Sequence, residues 1–196
     1  MHVQWDLAPG TTDLTVALEV VDPPRTDHLH FWALQVTFVG PGGKRLGGAH
    51  LGLQWHPQHP GGTAVNWGGY RPEGGELTGS ASPLPSATGN PNTRDLSWRP
   101  RTPYELRITA AGDGFVDDTF VRRLDVAGAT HLAQPVVWSE VFAPCDAPST
   151  AVRWSRIGGP ARLTYQSYAD GGCTNQRSEP DGPGAWVQRT NVEPED

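Results

Sequence analysis

Methionine occurs once and cysteine twice in these 196 residues, and charged side chains make up only 18% of them. Long unbranched side chains are the ones that favour helices, so their scarcity beside 24 glycines and 19 prolines predicts few or no helices. Cys145 and Cys173 are too few for a zinc cluster built of thiolates and do not form a CxxC pair. Lys and Arg nowhere cluster and the formal charge is −6, which argues against a surface that tracks phosphates. Nucleic acid is therefore not an expected partner. No apolar run approaches the ~20 residues that cross a bilayer as a helix. The opening MHVQWDLAPG has neither a basic nor an apolar leader segment, so membrane insertion is not expected either.

What is present is tryptophan, eight of them, which anchor a core despite a hydrophobic share of 36%. Short stretches with period-two alternation recur between Gly, Pro, Asn and Asp clusters. They are DLTVALEV (13–20), HFWALQVTFV (30–39), HLGLQW (50–55), AVNWGG (64–69), YELRIT (104–109), TFVRRLDV (119–126), PVVWSEVF (135–142), AVRWS (151–155), RLTYQSY (162–168) and AWVQRT (185–190). This pattern predicts an all-β fold, a two-sheet antiparallel sandwich of jelly-roll type, as one domain over residues 1–196. The Gly-, Ser-, Pro- and Asn-rich segment 74–103 lacks alternation and reads as a long loop, a common place for function. Cys145 and Cys173 both lie in turn-rich surroundings, where a disulfide between them would tether the last segment. Such a bond implies an oxidising compartment, hence an extracellular or cell-surface location, with a cytoplasmic one left open.

Alternation also assigns faces. Trp32, Leu34, Val36 and Phe38 share one side of their strand, Leu51, Leu53 and Trp55 one side of the next, and Val65 and Trp67 one side of the third. Opposite those apolar sets stand three amides, Gln35, Gln54 and Asn66. If the strands are neighbours, the amides form one polar surface. A carboxamide offers donor and acceptor without the desolvation cost of a charge, which suits sugar hydroxyls. The competing reading is a solvated sheet face with no ligand.

With GGAHLGLQWH, the NWGGY hairpin and the VVWSEVFAP strand, residues 13–142 resemble concanavalin A-like jelly-roll proteins of the lectin and glucanase type. They resemble in particular uncharacterised bacterial families that repeat a Gly-Gly-aromatic/His-hydrophobic-Gly-Leu-Gln strand. The resemblance implies a sandwich whose concave face binds or cleaves carbohydrate, and it is compatible with a structural calcium held by loop carbonyls. No other cofactor is implied. The chain departs from the laminarinase-like glycosidases, since the paired-glutamate ExDxxE strand is absent and Glu140 has no second carboxylate at i±2 or i±4. It departs from jelly-roll lyases as well: Arg177-Ser178-Glu179 is C-terminal, and Gln35-Val36 is followed by Thr37 instead of His.

Five of the seven histidines fall in two groups, His28 with His30, then His50, His56 and His59. An HxH strand with a third His can bind zinc, but no acidic ligand is fixed by spacing, so a polar loop lip is the expected role and no metal is assigned. Asp113, Asp117 and Asp118 lack the ligand spacing of a calcium loop and read as a turn. Trp55 and Trp67 fit either the core or a sugar-stacking rim. The leading expectation is a binder of carbohydrate or another small neutral polar ligand. Gln35, Gln54 and Asn66 would contact it, with His56, Trp67 and Tyr70 at the rim. A lyase or isomerase is the alternative, with His50 or His59 paired to Tyr70 as base and acid, metal-assisted or not, and Glu140 as a further catalytic candidate. A protein-interaction module is the third reading.

Overall fold

The computed structural model describes residues 1–86, 89–165 and 176–192. These residues form β1 (His2–Gln4), β2 (Asp13–Asp22), β3 (His30–Val39), β4 (Arg45–Trp55), β5 (Thr63–Tyr70), β6 (Thr93–Asp95) and β7 (Pro103–Thr109). They continue with β8 (Asp113–Val116), β9 (Thr119–Arg123), β10 (His131–Val141), β11 (Thr150–Ser155), β12 (Arg162–Tyr165), β13 (Arg177–Pro180) and β14 (Trp186–Thr190). The only helical turns among them are two short 3₁₀ segments, Pro41–Gly43 and Pro60–Gly62. All strand pairings are antiparallel, in two sheets of seven strands ordered β12-β1-β10-β3-β4-β5-β6 and β13-β14-β11-β2-β7-β8-β9. The expected two-sheet sandwich is therefore the observed fold.

Its core forms where the inward faces of the two sheets meet. Trp32, Leu34, Val36 and Phe38 of β3, Leu51 and Leu53 of β4, and Val65 and Trp67 of β5 are fully buried on one side. Val16 and Leu18 of β2, Leu106 and Ile108 of β7, and Val152 and Trp154 of β11 face them from the other. Each such side chain contributes about 1.5–3 kcal/mol by leaving water. Some polar groups between the sheets are matched. The Trp67 indole N–H donates to the Gly112 carbonyl at 3.1 Å, and Gln188 Oε1 accepts from Ser139 Oγ at 2.6 Å and from Trp154 Nε1 at 3.0 Å.

Several short strands carry too few residues to alternate visibly. β8 occupies part of the segment expected to be only a turn. There Asp113 binds Arg123 through both oxygens, at 2.6 and 2.9 Å, and Asp117 Oδ1 accepts the Glu105 N–H at 2.8 Å. Those carboxylates serve the fold.

The segment 74–103 is largely irregular, as a long loop is, and its described part is anchored. Leu77 and Trp98 are buried in the common core, Trp98 donates to the Gln54 carbonyl at 3.1 Å, and β6 adds a seventh strand beside β5. Two apolar anchors and a strand edge are enough to hold its described part against the sandwich. The expected Cys145–Cys173 bond lies outside the described residues, because Cys173 does, as do residues 166–168 of the strand expected at 162–168.

Candidate functional site

The outer face of the first sheet, turned away from the core, carries the unusual chemistry. Its register aligns three rows across the strands. Glu140, Phe31, Gln54, Ala64 and Asp95 form one, from β10 to β6. Tyr165, His2, Trp138, Ala33, Gly52, Asn66 and Thr93 form the next. Val136, Gln35, His50 and Gly68 form the third.

The middle row has its two smallest side chains at its centre, and this decides the shape. Phe31 pairs with Gln54, four residues from His50 along β4, a distance of about 13 Å along an extended strand. Yet the Phe31 and His50 rings are 5.6 Å apart. Both side chains therefore lie along the sheet toward each other, above Ala33 and Gly52. Trp138 closes the cluster, edge-on to Phe31 at 4.9 Å and to His50 at 5.8 Å. Gly52 is needed here for a further reason: a Cβ on it would stand 2.0 Å from the Trp32 carbonyl oxygen.

This small aromatic layer surrounds polar atoms that have lost water without gaining partners. Gln54 Oε1, Asn66 Oδ1 and Trp138 Nε1 are all buried and unpaired, although the Asn66 amide nitrogen donates to Thr93 Oγ1 at 2.9 Å. Buried polar groups are paired in the great majority of cases, so two acceptors and a donor left over on one face form a concentration of unmet hydrogen bonding. His50 among them has its pKa lowered to about 4 by burial, partly offset by the neighbouring Asn66 side chain, which approaches it without closing a hydrogen bond. Near neutral pH it is an uncharged imidazole. Burial raises the pKa of Glu140, which the nearby N-terminal amine opposes.

The three amides thus share the face that alternation assigned to them, at different depths: Gln35 is exposed, whereas Gln54 and Asn66 are 5% and 7% exposed. Tyr70 is an exposed rim residue whose ring is 6.5 Å from that of His50. Trp67 must be removed from the rim. It is fully buried in the core, on the opposite side of β5 from Asn66, and its indole is committed to Gly112. His59 cannot act with Tyr70, because the eight residues of β5 separate them, about 25 Å when extended. His56 and His59 stand instead at the far end of the face, where His59 Nδ1 is 2.5 Å from Asp95 Oδ1. His28 precedes β3 and His30 is buried on the core side, so the HxH pair and His50 do not converge. Among the described residues no group of three or more His, Cys, Asp or Glu is arranged to hold a metal.

Phe31, Ala33, Gly52, Trp138 and Asp95 were not singled out from the sequence as site residues. Alternation placed Phe31 and Ala33 off the core face, but nothing local showed that Trp138 and Asp95 would join them. No family model matches the chain, and no curated protein matches it. Among solved structures it is similar to scytalido-glutamic peptidase with a transition state analog inhibitor, at 9% identity and a TM-score of 0.46, covering 95% of each chain. A second structure of scytalido-glutamic peptidase, with a peptide-based transition state analog, gives 8% identity and a TM-score of 0.43, covering 95% of this chain and 97% of that one. Likeness of this degree carries no inference about activity.

Proposed function

We propose that the outer face of the first sheet binds a small neutral polar ligand, of which carbohydrate is the best-matched class. The observation that carries this reading is the set of buried, unpaired Gln54 Oε1, Asn66 Oδ1 and Trp138 Nε1 around an uncharged His50. A ligand with hydroxyl groups can donate to both amide oxygens and accept from the indole, so complexation removes a desolvation cost of about 1–3 kcal/mol per orphaned group. The surrounding Phe31 and Trp138 rings suit the apolar face of a sugar. Glycan-array screening followed by calorimetry on Gln54→Ala tests the reading. The expected result is a bound glycan whose affinity falls at least tenfold in the variant. No glycan bound, or an unchanged affinity, would remove it.

A second reading, acid–base catalysis on the bound ligand, is favoured by the placement of Glu140. It shares the first row with Gln54, two strands away, about 9.5 Å between backbones. The intervening Phe31 ring lies over Ala33, away from the space between them. A half-buried carboxylate whose pKa is raised is a stronger base: it can take a proton from a water that the carboxamide opposite orients and then pass that proton to the leaving group. Glu140→Gln would then abolish hydrolysis of a bound glycan while leaving its affinity intact. Equal hydrolysis by variant and wild type excludes Glu140 as the base.

A further inference from the structure

The turn HPQHPGG between β4 and β5 holds two imidazoles in a fixed arrangement. The His56 N–H donates to the Gly62 carbonyl at 2.8 Å, the His59 N–H to the His56 carbonyl at 2.9 Å, and the Gly62 N–H to the His59 carbonyl at 2.9 Å. Gly61 and Gly62 supply the left-handed backbone, with φ of 72° and 70°, that such a tight return requires. Pro57 and Pro60 hold each preceding histidine extended. The rings are 4.5 Å apart between centroids at 70°.

The His59 side chain is fully buried, and its Nδ1 lies 2.5 Å from Asp95 Oδ1. A carboxylate only accepts, so Nδ1–H donates the hydrogen bond, and in the neutral ring the lone pair is on Nε2. That Nε2 is buried with no partner, and so is Nδ1 of His56. A buried nitrogen without a partner is costly, and two such nitrogens in one seven-residue turn are unlike a loop whose histidines merely face water. The carboxylate–imidazole pair is moreover the usual orientation device for a metal-ligating histidine, since it fixes the ring and strengthens the free nitrogen as a donor.

We propose that His56 and His59 form a two-imidazole site for a late first-row divalent cation, Zn²⁺ or Cu²⁺, with Asp95 orienting His59. Imidazole nitrogen suits these ions, whereas calcium and magnesium prefer oxygen donors. No group of three protein ligands converges among the described residues, so solvent or a bound ligand completes the coordination. His56 is partly exposed and gives the ion access. Asp95 ends the row that contains Gln54, which places the ion at the margin of the ligand face. The site nevertheless stands independently of the glycan reading.

The test is calorimetric titration of ZnCl₂ and of CuCl₂ alone into the untagged, chelator-treated full chain, with circular dichroism as a check of the fold. The expected result is one equivalent bound, lost in His56→Ala and weakened ten- to a hundredfold in Asp95→Asn. His56→Ala changes a partly exposed loop side chain, so it reports on the site even if the Asp95 variant fails to fold. Absence of binding by the folded wild type overturns the proposal. Binding by His56→Ala as tight as wild type does the same, whatever the outcome of glycan screening.

Discussion

Replacing His50 by Gln should remove a large part of the acid sensitivity of this protein. In the folded chain the His50 imidazole is held at a pKa of about 4, against an ordinary value of 6.5, because burial among Phe31 and Trp138 disfavours the cation. The unfolded chain therefore binds more protons than the folded one as the pH drops below 6.5. The contribution of His50 to stability is complete above that pH, declines through the interval, and levels off below about 4. At 1.36 kcal/mol per pH unit the whole interval amounts to about 3 kcal/mol, and most of it is already lost at pH 4.5. His30, also buried with a lowered pKa, acts in the same direction, so the absolute loss in wild type is larger. The difference between wild type and His50→Gln isolates His50, because lost packing affects the variant equally at both pH values. Urea unfolding at pH 7.5 and pH 4.5, with an NMR titration of the imidazole, measures it. Identical pH dependence in the two proteins, or a His50 midpoint near 6.5, would refute the argument.

Gly52→Ala should destabilise the sandwich by about 3 kcal/mol, since its Cβ would collide with the backbone oxygen of Trp32 and β3 and β4 would have to part. Thermal unfolding reads the loss, and a melting temperature within a degree of wild type would contradict it. Gln188→Leu should cost about 2–4 kcal/mol by stranding Ser139 Oγ and Trp154 Nε1, two buried donors that the glutamine joins across the sheets. Denaturant unfolding tests that value. Trp67→Ala should cost about 3–5 kcal/mol as a core cavity. Calorimetry on whatever remains folded should find glycan affinity unchanged, as expected of a residue that does not reach the ligand face.

Legibility in the sequence followed the length of each element. β3, β4 and β5 alternate over enough residues that buried sets could be written down from the sequence, and Gln35, Gln54 and Asn66 were placed opposite them for the same reason. β1, β6, β8 and β13 have three or four residues each. That is too short for a period to show, and their partners hold them. Trp67 illustrates the limit from the other side: its alternation fits the core, while its place beside a histidine-rich loop suggested a rim. Its burial and its bond to Gly112 decide for the core.

Composition and period-two patterning by themselves determined an all-β sandwich with few helical turns, because side-chain direction along a strand is a local property of extended backbone. Only the tertiary structure decided which outward side chains meet. Glu140 shares a row with Gln54, Trp138 closes over His50, and Asp95 holds His59 from 36 residues away, because of how β10, β3, β4, β5 and β6 pair. The depth of Gln54 and Asn66 compared with Gln35 was settled in the same way. Strand order and register arise from long-range packing of the whole sheet, and no stretch of sequence shorter than the sheet contains that information.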